Sequence, residues 1–256
     1  MKKLLPLIVF VLMFSAGYSQ SLWTKTSADK LGVVEKADRS SMPQKYQIFH
    51  LNFSGLKSQL QLAPSREANE VSNVIIAFPN ALGKMENYRI YESSVMAPEL
   101  AKAHPEIQSY IGQGIDDPTA KIHLTTTMFG LHTMTLSGKG TFYIDPYTKD
   151  VQNYIVYDKS DLTTTRNFEC KVQENTVESM DVPLPPPASD SRFRTYRLAM
   201  ACTIEYAAFH INAAIAAGTL SQTATLAQKK AAVLAAMNVT VARVNSVYER
   251  DMSLRM

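Results

Sequence analysis

The run KIHLTTTMFGLHTMTLSGKGTFYIDP, residues 121–146, decides the fold. Ile122 and Leu124, then His132, Met134 and Leu136, then Phe142 and Ile144 alternate with polar residues, and Phe129-Gly130, Gly138-Lys139-Gly140 and Asp145-Pro146 punctuate them. Period two places alternate side chains on opposite faces of a strand, so the pattern predicts a meander of antiparallel hairpins. A turn at Phe129-Gly130 sets residue 123 opposite about 136 and residue 132 opposite about 127, so His123 and His132 are not expected to be cross-strand partners in a metal site.

Working outward, Tyr46–Phe53 and Val74–Phe78 are rich in aromatic and branched residues, the second ending at a Pro79-Asn80 turn signal, and Tyr88 and Ile90 continue the alternation. Strands are therefore expected through most of 46–158. One helical interlude is predicted. Pro98 suits a first helical position before Glu99-Leu100-Ala101-Lys102-Ala103, Pro105 breaks it, and Glu106–Ile111 is expected to form a second short helical piece ended by Gly112. Gly112-Gln113-Gly114-Ile115-Asp116-Asp117 lacks the Lys-Ser/Thr of a phosphate loop and is expected to be a tight turn, with a calcium-binding loop as the alternative. His104 is expected at the surface.

Four prolines fall between 183 and 187, so residues 181–193 are expected to be a stiff extended linker. Beyond it, Arg194–Cys202 has the length of a strand. Residues 222–249 are expected to form a long alanine-rich helix with Val233, Met237, Val241, Val244 and Tyr248 on one face, and Asp251–Met256 to begin another strand. Glu205 is expected to start a helix and His210 to pack within one. Two strands cannot bury both faces of a sheet, so the chain is expected to stop inside a domain.

With 256 residues, 46% of them apolar, the chain is long enough to bury sizeable cores. Its net charge of +3 divides unevenly: residues 20–190 carry 16 basic against 20 acidic residues, and residues 191–256 carry eight against three. That surplus is scattered, without interleaved aromatics, which argues against nucleic-acid binding. Lys2 and Lys3 followed by the apolar run Leu4–Phe14 and the small residues Ser15–Ser19 read as a signal peptide over 1–19, cut between Ser19 and Gln20. The protein is therefore expected to be secreted, with no membrane attachment after the signal is removed.

Tyr196-Arg197-Leu198-Ala199-Met200-Ala201 after the proline-rich linker, and Val244-Asn245-Ser246-Val247-Tyr248 closing a long helix before a strand, resemble the opening of a reprolysin-like (adamalysin, M12B-type) zinc metalloprotease domain of the metzincin clan. Residues 46–158 resemble the propeptide of secreted bacterial members, above all at Tyr91–Leu100 and Gly112–Pro118. The resemblance implies zinc, peptide or protein substrates, and a prodomain that docks on its own catalytic domain, aids folding and keeps the enzyme latent. Zinc in that family is held by His-Glu-x-x-His-x-x-Gly-x-x-His, with the glutamate as general base. None of the five histidines here precedes a glutamate, so no catalytic residue is assigned and the chain as it stands is not expected to cleave peptides.

The resemblance also suggests a metal role for Cys170, as a thiolate occupying the zinc's open position in the latent form. Its flanking residues differ from the Pro-Lys-Met-Cys-Gly switch. The alternatives are a disulfide, to Cys202 or to a cysteine beyond this chain, and a free thiol. Arg192, Arg194 and Arg197 offer a basic processing site, or else a solvated edge of the first strand. The calcium-binding glutamate of animal relatives aligns with Arg197, so that site is not carried over.

The expected class is α+β: a strand-rich antiparallel prodomain over 20–180, then an incomplete α/β metzincin-type catalytic domain over 194–256, built as strand, long helix and strand. The function expected is that of a secreted zinc metalloendopeptidase precursor. The alternatives are a secreted, non-enzymatic β-rich binding or adhesion module, and a free prodomain acting as an inhibitor.

Overall fold

Lys121–Thr127 (β6) and Gly130–Ser137 (β7) pair antiparallel around Met128 and Phe129, with Thr127 opposite Gly130. Gly130 is left-handed at φ 90°, and a Cβ there would stand 2.8 Å from the Tyr154 hydroxyl, so the turn requires glycine. The computed structural model describes residues 21–39, 41–163 and 192–256. In chain order the other strands of this region are β1 (Trp23–Thr26), β2 (Gln47–Leu51), β3 (Ile75–Pro79), β4 (Met85–Glu92), β5 (Gln108–Gly114), β8 (Gly140–Pro146) and β9 (Asn153–Asp158). Helices α1 (Phe53–Leu60) and α2 (Pro98–Ala103) interrupt them.

The nine strands form one antiparallel sheet in the order β1-β2-β9-β8-β7-β6-β5-β4-β3. Strands β3 to β9 are thus a meander, as the alternation predicts, with β2 and β1 added beside β9. The sheet curls into a near-barrel. Trp23 of edge strand β1 meets Phe78 of edge strand β3 at 6.1 Å between ring centroids, so the seam closes through side chains. Phe49, Ile90, Ile122, Leu124, Leu131, Ile144 and Val156 fill the concave face, and Leu56 and Leu60 of α1 join that core. The Asn52 side chain caps α1 by accepting from the Gly55 amide at 2.9 Å.

Several sequence expectations fail in this region. Asp145-Pro146, read as punctuation, closes strand β8 opposite Ile155 and Tyr154, and Gly112–Gly114, expected in a tight turn, belong to β5. Residues 108–111, expected to be helical, are strand β5, because Ser109 pairs with Thr125 and Tyr110 with Leu124 on one side while Ile111 pairs with Tyr91 on the other. A sheet position with neighbours on both sides overrides a weak helical propensity. Phe53, expected to end a strand, instead opens a helix over 53–60 outside the one helical interlude expected, because Asn52 caps it and Leu56 and Leu60 recur at a spacing of four.

Gly112 lies in β5 where a Cβ would stand 2.6 Å from Ile122 Cγ2 and 2.8 Å from Ile90 Cδ1, both buried core atoms. Gly112→Ala is expected to lower stability by about 1–3 kcal/mol through overpacking. A urea midpoint equal to that of the parent would refute this.

The remaining described residues form β10 (Arg194–Thr195), α3 (Ile204–Ala216), α4 (Leu226–Met252) and β11 (Leu254–Arg255). β10 and β11 pair in parallel, the strand–helix–strand arrangement expected, although each is only two residues long and two helices bridge them. The Thr225–Gln228 capping box starts α4, and Ser253 in the left-handed conformation ends it. The face that α4 buries is not the predicted apolar stripe. It consists largely of Ala232, Ala235, Ala236, Asn238, Ala242, Asn245 and Ser246, with Val233 the one stripe residue fully buried. Met237, Val241, Val244 and Tyr248 are only half-buried.

Candidate functional site

α4 lies across the convex face of the sheet, over β6 and β7, and its side chains reach two charged clusters there. The cross-strand pairs His123–Met134, Thr125–His132 and Ser109–Thr125 place Ser109, His123, Thr125, His132 and Met134 on this face. Asp145 joins them from β8. The face is polar because α4 rather than water covers it, and each polar group there needs a partner.

Asp145 is the centre of the first cluster. Oδ1 accepts from Arg243 Nη2 of α4 at 2.5 Å and from His132 Nδ1 at 2.9 Å, and Oδ2 accepts from the Tyr157 hydroxyl at 2.9 Å. Arg39 Nη2 stands 3.8 Å from Oδ2. Burial acts to raise the carboxyl pKa, but Arg243, His132 and Arg39 outweigh it and hold Asp145 ionised far below the usual carboxylate range. Desolvation acts to lower the Arg243 pKa, but Asp145, with Tyr157 and Tyr143 behind it, raises it. Arg243 stacks on Tyr143 at 5.3 Å, Tyr143 on Tyr157 at 5.4 Å, and Arg39 on Tyr157 at 5.1 Å, a ladder of two cations around two rings. A carboxylate this deeply engaged is an electrostatic anchor rather than an acid–base catalyst. Beside it opens a cavity of about 520 Å³ lined by Arg39, His132, Tyr157, His210 and Arg243.

The second cluster holds the other end of α4. Arg66 Nη1 donates to both carboxylate oxygens of Glu249, at 2.9 and 3.0 Å, and to Ser93 Oγ at 3.3 Å. Arg255 Nε lies 3.9 Å from Glu249 Oε1, and its guanidinium also donates to the Ser94 carbonyl. His123 is buried nearby. Burial first, and then the cations Arg66, Lys121 and Arg255 against the opposing pull of Glu249, push its pKa from 6.5 down to about 4. A second cavity of about 760 Å³ runs between this cluster and the start of the C-terminal segment, lined by Arg66, Met96, Leu100, Arg197, Leu198 and Met237 among others.

The residues singled out from sequence are scattered. Ser19, Gln20 and Cys170 lie outside the described residues, as do 181–191 of the linker. Cys202 is a free, exposed thiol two residues before α3. Arg192 and Arg197 are exposed, and Arg194 is half-buried in β10, where its amide donates to the Ser253 carbonyl at 3.0 Å. Glu205 lies in the first turn of α3 behind the Thr203 cap, the helix-start position expected of it. His210 packs against Tyr206 and Phe129. His123 and His132 are not cross-strand partners, but the register differs by two from that expected because the turn falls at Met128-Phe129. Asp116 and Asp117 are spent on local structure: Asp116 accepts from Asn87, and Asp117 accepts from Thr119 and meets Lys139 Nζ at 3.0 Å. Among the described residues no group of three or more His, Cys, Asp or Glu could hold a metal ion, so no zinc chemistry is assigned to them.

Arg39, Arg66, Asp145, Arg243 and Glu249 escaped the sequence reading. The one available signal was Asp145 at the end of a strand-like run, where reading Asp145-Pro146 as punctuation hid a charge that needs a partner once buried. Arg243 lies 98 residues from Asp145 and Glu249 lies 183 from Arg66, and no spacing announces either pair.

Fold and site define a curled antiparallel β-sheet of the α+β class that seats a helix on its convex face through partly buried ion pairs. No family model and no curated protein matches the chain. A solved structure described as "Structure of a chaperone-substrate complex" overlaps 50% of this chain and 96% of its own, at 10% identity and a TM-score of 0.34, too low to bear on fold or function. Among the described residues no helix is long and apolar enough to cross a membrane.

Proposed function

We propose that this chain is the amino-terminal part of a secreted zinc-dependent metalloendopeptidase precursor. Residues 1–19 are its signal peptide and residues 20–180 a prodomain that assists folding and maintains latency. Residues 181–193 are the linker that is cut, and residues 194–256 begin the catalytic domain. The observation that carries this reading is the seating of α4, whose terminal Val244–Tyr248 segment carries the family resemblance, on the sheet through Arg243–Asp145 and Glu249–Arg66. A template that holds an early helix of another domain by ion pairs is suited to both roles. The parallel β10–β11 pair bridged by α3 and α4 further supports it, being the opening order such a domain requires.

The test is to read the coding DNA past Met256 and assay the whole secreted product. His-Glu-x-x-His-x-x-Gly-x-x-His is expected downstream, with peptide hydrolysis that appears after the prodomain is cut and disappears on zinc chelation. A stop codon with no such motif would overturn the reading in favour of a secreted binding module.

A further inference from the structure

The contact between the sheet and α4 has the composition of an interface that separates. Of the side chains α4 buries, Asn238 and Ser246 bond to the sheet, whereas Ala232 packs in the cluster around α3 and Asn245 pairs with Met256. The sheet answers with Ser109, which donates to Asn238 Oδ1 at 2.8 Å, with Met134, whose sulfur accepts from Ser246 Oγ, and with buried His123. The apolar cluster around α3 and the start of α4 reaches the sheet only through Met128 and Phe129, at the tip of the β6–β7 hairpin. Permanent interfaces resemble an apolar core cut in half, whereas separable ones are polar and are specified by charge.

The charges are arranged as a directional pair. α4 carries a cation at 243 and an anion at 249, about 9 Å apart along the axis. The sheet side carries Asp145 opposite the first and Arg66 opposite the second. Reversing the helix would set Glu249 against Asp145 and Arg243 against Arg66, and like charges at both points would reject that pose. Asp145 and Glu249 are nearly buried, with side chains 10% and 11% exposed, so neither charge can be left unmatched cheaply.

We propose that Asp145 and Arg66 form a two-point charge key that makes the convex face of the sheet a dissociable docking surface for residues 192–256 of this chain. The two parts stay associated after the connection between them is cut, and they separate when either point of the key is mismatched. The purpose of such docking rests on the prodomain reading. The binding itself does not, because it needs neither zinc nor any residue beyond Met256.

The test uses the full chain with a specific protease site inserted within 181–191, cut after folding and examined by size-exclusion chromatography across a salt series. The two pieces are expected to co-elute. Arg243→Asp and Glu249→Arg are each expected to weaken association by roughly 30-fold or more. The reciprocal pair Arg66→Glu with Glu249→Arg is expected to restore co-elution; position 145 is left unchanged because Arg39, His132 and Tyr157 also depend on its carboxylate. Where a reversal prevents folding of the uncut chain, Glu249→Gln takes its place, with a lower salt concentration for separation as the expected result. Pieces that part at once at low salt, that stay together regardless of charge at 243 and 249, or that the reciprocal pair at 66 and 249 fails to rejoin would overturn the proposal. Any of these would leave the zinc peptidase reading to be judged by its own downstream motif and activity.

Discussion

Asp145→Ala is expected to destabilise the chain by about 3–5 kcal/mol, the cost of removing one member of a buried ionic cluster. The carboxylate accepts from Arg243, His132 and Tyr157 and stands beside Arg39. Its loss leaves two stacked guanidinium groups and a phenol without their acceptor, in a site where the Nε atoms of Arg39 and Arg243 are already buried without a hydrogen-bond partner. Alanine cannot replace those contacts, and water entering from the adjoining cavity of about 520 Å³ brings no negative charge to the two guanidinium groups. Asp145→Asn is expected to lose less, because its carbonyl oxygen still accepts one or two of the bonds although the charge is gone. Urea unfolding followed by far-ultraviolet circular dichroism measures both variants. A change below about 1 kcal/mol for alanine would show that the cluster is only a surface arrangement of charges.

The second large effect concerns pH. The fold holds His123 neutral, its pKa lowered from 6.5 to about 4 by burial beneath α4 and by Arg66, Lys121 and Arg255, with Glu249 pulling the other way. Between those values the unfolded chain takes up a proton that the folded chain refuses, so stability falls as pH falls. Across the window from pH 6.5 to about 4 the loss is about 3 kcal/mol, and below that this histidine contributes no further change. Asp145 has the opposite timing. Its folded pKa is depressed, so its contribution is complete above the unfolded carboxylate value of 3.8 and fades only in stronger acid. The two are therefore separable. His123→Leu is expected to flatten the stability profile between pH 6.5 and 4 while leaving the acid limb below pH 4 in place. An unchanged slope in that variant would assign the acid sensitivity elsewhere.

How far these features were legible varies with the range of the interaction that makes them. The meander over 121–146 was legible because period-two alternation is local, and each hairpin closes within a few residues. The turn position was not, since Met128 and Phe129, which occupy it, carry no turn signal, and Gly130 follows them at φ 90° against the Tyr154 hydroxyl of β9. Strand β5 was misread as helix because its strand character comes from β4 and β6 on either side. α1 could have been found from Asn52 and the Leu56–Leu60 spacing, both local signals.

The helix α4 shows the division most clearly. Its existence, approximate length and position before a strand follow from alanine content, capping residues and spacing, which act within one or two turns. Its orientation does not. The stripe from Val233 to Tyr248 is the most apolar face and local logic buries it, yet Asn238, Arg243, Ser246 and Glu249 are drawn to the sheet by Ser109, Asp145, Met134 and Arg66. Sequence alone thus determined the α+β class, the antiparallel meander and a long alanine-rich helix followed by a strand, because period and capping are properties of neighbouring residues. Only the tertiary structure decided the curl of the sheet, which face of α4 it receives and where the buried charges meet. Complementarity between side chains more than 100 residues apart, as between Asn238 and Ser109, leaves no mark on either segment by itself.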